Sequence, residues 1–429
     1  MRRHISLYFG SVGIKVCFNF IIGFFTYFIS FEENNKKRLF KRIKQNFQDN
    51  IGVYAFTSAR GATAAFLKAV NSDGKETILS SYTCLAVPTA IVAANSIPIY
   101  CDTKINSLNI NNDIIFNKIN SKTKVVIAQH TLGEIVNIDD LKNRLNDKKI
   151  YILEDCALSI GSKINEVFLG SQGDAAIYSL ELSKSISVGW GGILVVNNQK
   201  LKIIIDDFYS KVPYENLYTS IRNAIQTIIS GISYNPVFYN FLGKYIIYFG
   251  YKYKFFKVST PSVELKGNVE KNFIRKLPSL QMWMAEYQWK RLEEVSNKSI
   301  KNQNIIASHL SKLGYKNFSF KKGNKNVTPR ISFLVSSPRK IIKYFENNGI
   351  EIGRWFDGPL SPIPKSKKFK FNKVEFPNST FLSKYIVNLP CHVRLSKRDI
   401  YVILNTLTEF SKKEPESMIV PEQQNKILI

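Results

Sequence analysis

The sequence predicts an α/β protein: a mainly parallel sheet in a large domain, followed by a smaller C-terminal α+β domain. Two observations carry this. From residue 53 onward, short apolar runs of strand character alternate with stretches of helical periodicity, and polar residues gather where the runs end. The chain has 429 residues, too many for one small core and suited to a large unit followed by a smaller one.

In order, the patterns predict a strand over 53–57, a helix over 62–70, a strand over 77–80, a helix over 85–94 and a strand over 97–101. Strands over 125–129 and 150–154 enclose a helix over 138–145, and a later strand covers 193–196. Such alternation specifies parallel strands covered on both faces, with ligands at the carboxyl ends of the strands. Residues 203–256, rich in Ile, Tyr and Phe, break the alternation and read as an aromatic helical insertion. Core packing is the default use of such a stripe; covering a site, a dimer interface and a membrane face are the alternatives. A single amphipathic connector helix over 280–312 then leads to the runs 330–335 and 349–353, which begin a small α+β domain that ends in a helix over 397–410. The predicted divisions are an N-terminal apolar and basic segment (1–50), the large domain (51–275), the connector and small domain (276–411) and a disordered polar tail (412–429).

Residues 11–31 are almost wholly apolar, but Lys15 and Asn19 interrupt them, and the unbroken part falls short of the roughly 20 residues that span a bilayer. The segment lacks a small-residue cleavage site, which argues against a secretory signal. The basic run from Lys36 to Lys44 follows. Together they have the order of a segment that inserts shallowly and is held by anionic headgroups, so that removing residues 1–35 would release the protein and spare the rest.

Sixty Lys and Arg against 33 Asp and Glu give a net charge of +27, which suits a polyanionic partner such as nucleic acid, anionic lipid or a phosphorylated substrate. Nucleic acid is excluded, because the chain carries no zinc finger, helix-turn-helix signature or aromatic-basic RNA-binding motif. Richness in Lys, Asn and Ile also raises the charge without any partner. Cys17, Cys84, Cys101, Cys156 and Cys391 are scattered and odd in number, which argues against a disulfide framework or a zinc site and for a reducing cytoplasm. No metal is predicted.

The chemistry lies between residues 150 and 192. The predicted strand at 150–153 delivers Glu154-Asp155; the run Ser179-Leu180-Glu181-Leu182-Ser183-Lys184 follows, and then the glycine loop Gly189-Trp190-Gly191-Gly192. A strand-end carboxylate, a hydroxyl and an amine in that order are the parts that hold pyridoxal phosphate: Asp155 keeps the ring nitrogen protonated, Ser179 binds the phosphate and Lys184 bonds to the aldehyde carbon. Singly each has a plainer reading, as a helix-capping Asp or a solvated Lys. The ordered set extends upstream to Ser58-Ala59-Arg60-Gly61-Ala62, Ser81-Tyr82-Thr83-Cys84 and Gln129-His130-Thr131-Leu132-Gly133.

In these motifs, over about residues 50–410, the chain resembles the DegT/StrS family of sugar aminotransferases. The family pattern runs Ser-Gly-Thr-or-Arg-x-Ala, Pro-x-x-Thr-aromatic, His-x-x-Gly, Glu-Asp-x-Ala, Ser-Phe-x-x-x-Lys and a glycine loop. The resemblance implies the fold-type-I architecture of pyridoxal-phosphate-dependent transferases, a homodimer with sites built at its interface, and an opening helix packed on the large domain, for which a basic face needs no lipid. It implies Lys184 as the catalytic residue. Asp155 and Ser179 fall on the cofactor-binding positions, and Arg60 and Gly61 on the turn whose N–H groups face the phosphate. The implied activity transfers an amino group, from glutamate, to a nucleotide-linked keto sugar for polysaccharide or related glycan synthesis, in the cytoplasm and with peripheral contact to the inner membrane face as an option. A sugar dehydratase of the same family and a catalytically silent, membrane-associated scaffold are the alternatives.

The chain departs from the family pattern in several places. Cys84 stands at the position that stacks an aromatic on the cofactor, leaving Tyr82 beside it as the stacking candidate. Leu158 replaces a Gln or His, and Leu180 a Phe. His130 either contacts cofactor or substrate at a strand end or is a buried histidine satisfied by backbone groups. Asn272 is an imperfect counterpart of an asparagine that reaches the partner subunit's phosphate. Trp355, Phe356 and His392 either border the substrate or pack.

Overall fold

The computed structural model describes residues 3–8, 10–27, 32–47, 50–145, 148–270, 273–318 and 324–418. Two helices come first, α1 (Ile14–Tyr27) and α2 (Glu32–Lys44). α1 buries Val16, Cys17 and Phe20 in the main core and leaves Ile14, Phe18, Ile21, Ile22 and Phe25 exposed. The basic α2 docks through Leu39 and Ile43, both fully buried in the same core. Among the described residues no helix is long and apolar enough to cross a membrane.

Residues upstream of α1 form a strap on the small domain. Ile5 bridges to Ile350, and the Glu351 carboxylate accepts from Ser6 Oγ at 3.0 Å and Leu7 N–H at 3.1 Å. Deleting residues 1–35 would therefore strip buried core and strap together, which corrects the expectation that the segment is dispensable.

The alternation predicted from residue 53 becomes β1 (Gly52–Phe56), α3 (Ala59–Ala69), β2 (Glu76–Ser80), β3 (Thr83–Cys84), α4 (Ala86–Ala93), β4 (Ile97–Cys101), α5 (Asn112–Lys118), β5 (Thr123–Gln129), α6 (Ile138–Leu145) and β6 (Tyr151–Asp155). A small hairpin of β7 (Lys163–Ile164) and β8 (Val167–Phe168) precedes β9 (Ala175–Ser179) and β10 (Gly192–Val196). The seven-stranded sheet has the order β1-β10-β9-β6-β5-β2-β4, and only β10 runs against its neighbours. Side chains alternate as strand geometry requires. Val53, Ala55, Ile193 and Val195 enter the core under α1 and α2, while Tyr54, Phe56, Leu194 and Val196 enter the core under α3. Helices thus cover both faces, as buried parallel strands demand.

The aromatic insertion begins later than the sequence suggested. The next helix, α7 (Gln199–Lys211), buries Leu201, Ile205 and Tyr209 against the sheet, so it belongs to the large domain. The insertion proper is α8 (Leu217–Ser233), a π-helical turn (Tyr239–Gly243) and α9 (Lys244–Lys252), with Tyr218, Phe241, Tyr245, Tyr248 and Phe249 exposed. A short helix α10 (Ser262–Leu265) follows.

The connector is two helices, α11 (Ser279–Lys290) and α12 (Leu292–Lys312), not one. Arg291 sits between them with ψ near 1°, outside the helical basin. The break lets α11 pack on α2 while α12 reaches the small domain. There β11 (Arg330–Leu334), α13 (Pro338–Asn347), β12 (Leu360–Ser361), α14 (Pro377–Tyr385), β13 (Ile386–Pro390) and α15 (Lys397–Lys413) complete the fold. β11 pairs with β13, and β12 pairs with β3 of the large domain, drawing the small domain onto the carboxyl ends of the sheet. The predicted disordered tail instead starts as the end of α15 and a 3-10 turn at Pro415–Met418, with Ser336 N–H donating to Ser417 O at 2.9 Å; residues 419–429 lie outside the described residues.

Candidate active site

Parallel register brings the carboxyl ends of β5, β6 and β9 side by side, with Gln129 opposite Asp155 and Asp155 opposite Ile177. The loop leaving β9 then carries Lys184 back over the strand ends. Ser58, Arg60, Asp155, Ser179, Lys184 and Trp355 are among the residues lining one cavity of about 100 Å³ there.

Burial holds the Lys184 amine below its usual lysine range, against the opposing pull of Glu181, Cys84 and Asp155. The same burial raises the Asp155 carboxyl, with the Ala157 N–H, Lys184 and His130 working the other way. Ala157 N–H donates to Asp155 Oδ1 at 3.0 Å, and among the described residues no hydrogen bond engages the other carboxylate oxygen. Ser179 is buried, and its Oγ accepts from Glu181 N–H at 3.4 Å.

At the start of α3, Ser58 caps the helix by accepting from Gly61 N–H at 3.1 Å, while the first N–H groups of a helix have no partner within it. β10 passes close to this turn: a Cβ on Gly192 would lie 2.3 Å from Ala59 N. A Cβ on Gly61 would lie 2.9 Å from Phe273 O, so a side chain there forces a shift as well. The Arg60 guanidinium is held by Glu264 and the Ser259 carbonyl, so its charge at the cavity edge is already paired.

The remaining predicted residues divide. Cys84 lines the cavity, its thiol pushed up by burial. Tyr82 does not: it is fully buried against the small domain, its hydroxyl accepting from Phe356 N–H at 2.8 Å and its ring edge-on to Phe356. The stacking role offered to Tyr82 is thereby corrected: Tyr82 is anchored to Phe356, and it is the two residues of β3, Thr83 and Cys84, that line the cavity.

His130 touches the cavity wall but has no nitrogen to offer. Its Nδ1 accepts from Val136 N–H at 3.2 Å, which leaves Nε2 to donate to Glu154 at 3.1 Å. Glu154 also accepts from Gly170, Gln172 and Gly173 N–H, so the pair is a buried strut, and the substrate-contact reading of His130 gives way to the packing one. His392 lies under the strap, with Nε2 donating to Ser6 O at 2.8 Å. Asn272 lies outside the described residues.

Trp355 and Phe356 do line the cavity, as does Leu158. The sequence reading assigned no role to Glu181, Trp190 or Ser259, which line it too. Glu181 lies within the run Ser179–Lys184 and Trp190 within the glycine loop, close in sequence to the residues expected at the site. Ser259 comes from a distant loop that no local pattern connects to the site. A carboxylate with one open oxygen, a buried hydroxyl, a helix start and a buried amine fit pyridoxal phosphate.

Comparison with protein families matches residues 31–223 and 265–408 to the DegT/DnrJ/EryC1/StrS aminotransferase family. The chain belongs to this family. Among its relatives, GDP-perosamine synthase of Vibrio cholerae is 29% identical over 177 residues, covering 40% of this chain and 47% of that protein. The match therefore spans about half the length of that relative. An uncharacterized protein of Methanocaldococcus jannaschii is 24% identical over 371 residues, covering 85% of this chain and 88% of its own. The fold is that of solved aminotransferases. The sugar aminotransferase Spr1654 of Streptococcus pneumoniae, described as putative and solved in its PMP-form, superposes with a TM-score of 0.68 at 16% identity, covering 88% of this chain and 92% of its own. DesI, solved in the presence of its TDP-sugar product, gives 0.69 at 14% identity, covering 97% and 95%.

Proposed function

We propose that this protein is a pyridoxal-phosphate-dependent aminotransferase that moves an amino group from an amino-acid donor, glutamate, to the keto carbon of a nucleotide-linked sugar used in glycan synthesis. The observation that carries the reading is the meeting of the Lys184 amine, the Asp155 carboxylate, the Ser179 hydroxyl and the start of α3 on one cavity. Family membership supports the reaction type, and relatives named as a GDP-perosamine synthase and a dTDP-amino-sugar transaminase support the substrate class. The net charge of +27 favours a diphosphate-linked substrate.

Pyridoxal phosphate, when bound, supplies a protonated pyridine ring that spreads the negative charge left when a carbon loses its proton. The protein's residues do the rest. Asp155, fixed by Ala157, would face the ring nitrogen with its open oxygen and keep that nitrogen protonated. Ser179 and the first N–H groups of α3 would hold its phosphate. Lys184, with its amine already below the usual range, takes the proton from the donor's α-carbon as a free base and returns a proton in the second half of the reaction. Cys84, Leu158 and Trp355 line the space and exclude water.

The reading includes a homodimer, supported by family membership and by the apolar side chains left exposed on α8 and α9. It also includes a cytoplasmic location, supported by five free cysteines, and a peripheral contact of the exposed face of α1 with anionic lipid, supported by Ile14, Phe18 and Phe25 beside the basic α2. Loading the protein with pyridoxal phosphate and adding L-glutamate tests the reaction. The visible absorbance of the bound cofactor is expected to bleach and 2-oxoglutarate to appear, in one equivalent per site; an unchanged spectrum with every common amino acid would refute the aminotransferase reading.

A further inference from the structure

The helical insertion is packed inside out. A helix on a water-soluble protein turns its apolar stripe inward and its polar residues outward. α8 does the reverse: it buries Asn223, Gln226, Thr227, Ser230, Gly231 and Ser233 and leaves Tyr218, Ile225 and Ile232 exposed. The π-helical turn and α9 continue the inversion, docking through Gly243, Ile247 and Gly250 at helical spacing while Phe241, Leu242, Tyr245, Tyr248 and Phe249 are exposed. A Cβ on Gly243 would lie 2.1 Å from Ser233 O, and one on Gly250 2.5 Å from the Phe256 ring, so these elements meet through positions that carry no side chain. Small and polar residues inside with bulky apolar ones outside is the way helices associate in lipid, where burying apolar surface brings no gain.

The charge around this face has one sign. No Asp or Glu occurs between Glu215 and Glu264, whereas Lys244, Lys252, Lys254 and Lys257 stand among the tyrosines of α9 and the turn after it. Lys244 lies 5.0 Å from the Tyr245 ring and Lys252 5.4 Å from that of Tyr248. Lysines interleaved with tyrosines suit the layer between water and acyl chains, where anionic headgroups meet amphipathic rings. α1 adjoins the same element: Cys17 Sγ donates to Ile228 O at 3.6 Å, and a Cβ on Gly231 would lie 2.6 Å from that sulfur. Residues 224–264 fall between the two stretches matched to the family, so the face lies outside what the chain shares with it. We propose that α8, the π-helical turn and α9 dock this protein on an anionic bilayer surface, apolar side chains among the acyl chains and lysines at the headgroups. The inference extends the lipid contact proposed for α1 and rests on different residues. Among the described residues no helix is long enough to cross, so the segment lies in the interface. A second copy is the other candidate occupant, but a two-fold contact sets a surface against itself, and here it would bring lysines together with no acid in the segment to meet them. The docked segment ends at the cavity, where Lys257 lies 5.2 Å from the Trp190 ring and Ser259 forms part of the lining, so docking sets that side of the cavity beside the headgroups.

The test measures sedimentation of the full chain with vesicles of phosphatidylglycerol and phosphatidylcholine in equal parts, beside vesicles of phosphatidylcholine alone. The wild type is expected to bind the anionic vesicles more tightly. Lys252→Gln combined with Lys254→Gln should weaken that binding by roughly 10- to 30-fold and leave binding to the neutral vesicles unchanged, as the loss of two headgroup-facing charges does. Phe241→Ser combined with Phe249→Ser should weaken binding to both kinds of vesicle while the melting temperature stays at the wild-type value, since neither ring is buried. Wild-type sedimentation of both double variants overturns the proposal. So does a Phe241→Ser, Phe249→Ser protein that light scattering without lipid shows to be a monomer where the wild type is a dimer, because the occupant is then a second copy. If Phe18→Ser alone loses binding, the lipid contact belongs to α1 and this inference falls while that one stands. A wild type that ignores every vesicle refutes both, and neither result bears on the aminotransferase reading, which bleaching of the cofactor absorbance tests separately.

Discussion

Burial pushes Lys184 and Asp155 in opposite directions, the amine below and the carboxyl above its ordinary range, and each draws the other back. This coupling makes Asp155→Asn informative. A neutral amide still fits against Ala157 but cannot hold a ring nitrogen protonated, so turnover should fall by about 100- to 1,000-fold while the cofactor stays bound. Steady-state kinetics beside an absorbance spectrum checks this; near-normal turnover would make the carboxylate structural. Asp155 and Ser179 were legible in the sequence because each ends a strand, and Lys184 because it lies on the loop that leaves one, where chemistry in α/β sheets collects. Tyr82 and His130 misled because a sequence places them near the site without saying which way they face. Only the Phe356 and Val136 N–H groups, held by Tyr82 and His130, reveal that both serve packing.

Among the elements, the sheet strands emerged close to their predicted limits because buried parallel strands leave short, apolar, well-bounded runs. Helix breaks were harder to foresee. The turn at Arg291 carries no Pro or Gly, and it exists because α11 and α12 pack against different neighbours. α1 shows what periodicity leaves undecided: an apolar stretch can be core, lipid-facing, or both. Here it is divided by face, with Phe20 buried and Phe18 65% exposed. Phe20→Ala should cost about 3–5 kcal/mol of stability, as truncation of a buried Phe does, visible as a lower denaturant midpoint. Phe18→Ser should leave that midpoint unchanged but weaken sedimentation with anionic vesicles. If Phe18→Ser sediments like the wild type, α1 has no role at lipid.

For the whole molecule, the strap joins the chain's beginning to its last domain. His392 sits at that junction, neutral, with its pKa lowered to about 4 by burial and by Arg394, against the raising effects of the Ser6 carbonyl and Asp399. Because the folded value lies below the unfolded one, the stability this residue contributes is present above about pH 6.5 and is lost as pH falls toward 4, by about 3 kcal/mol at most. Thermal melts between pH 7 and 4 should show the loss, and His392→Gln should flatten it; an equally steep slope in the variant would place the acid sensitivity elsewhere. The homodimer belongs to this scale too. Light scattering at assay concentration should give twice the 49.1 kDa chain mass, and a fully active monomer would contradict it. The central claim is that Lys184 carries the cofactor, and borohydride reduction of the loaded protein followed by peptide mapping tests it most directly. The account predicts a single labelled peptide with the label on Lys184, absent from Lys184→Ala; a label on any other lysine, or none, would contradict it.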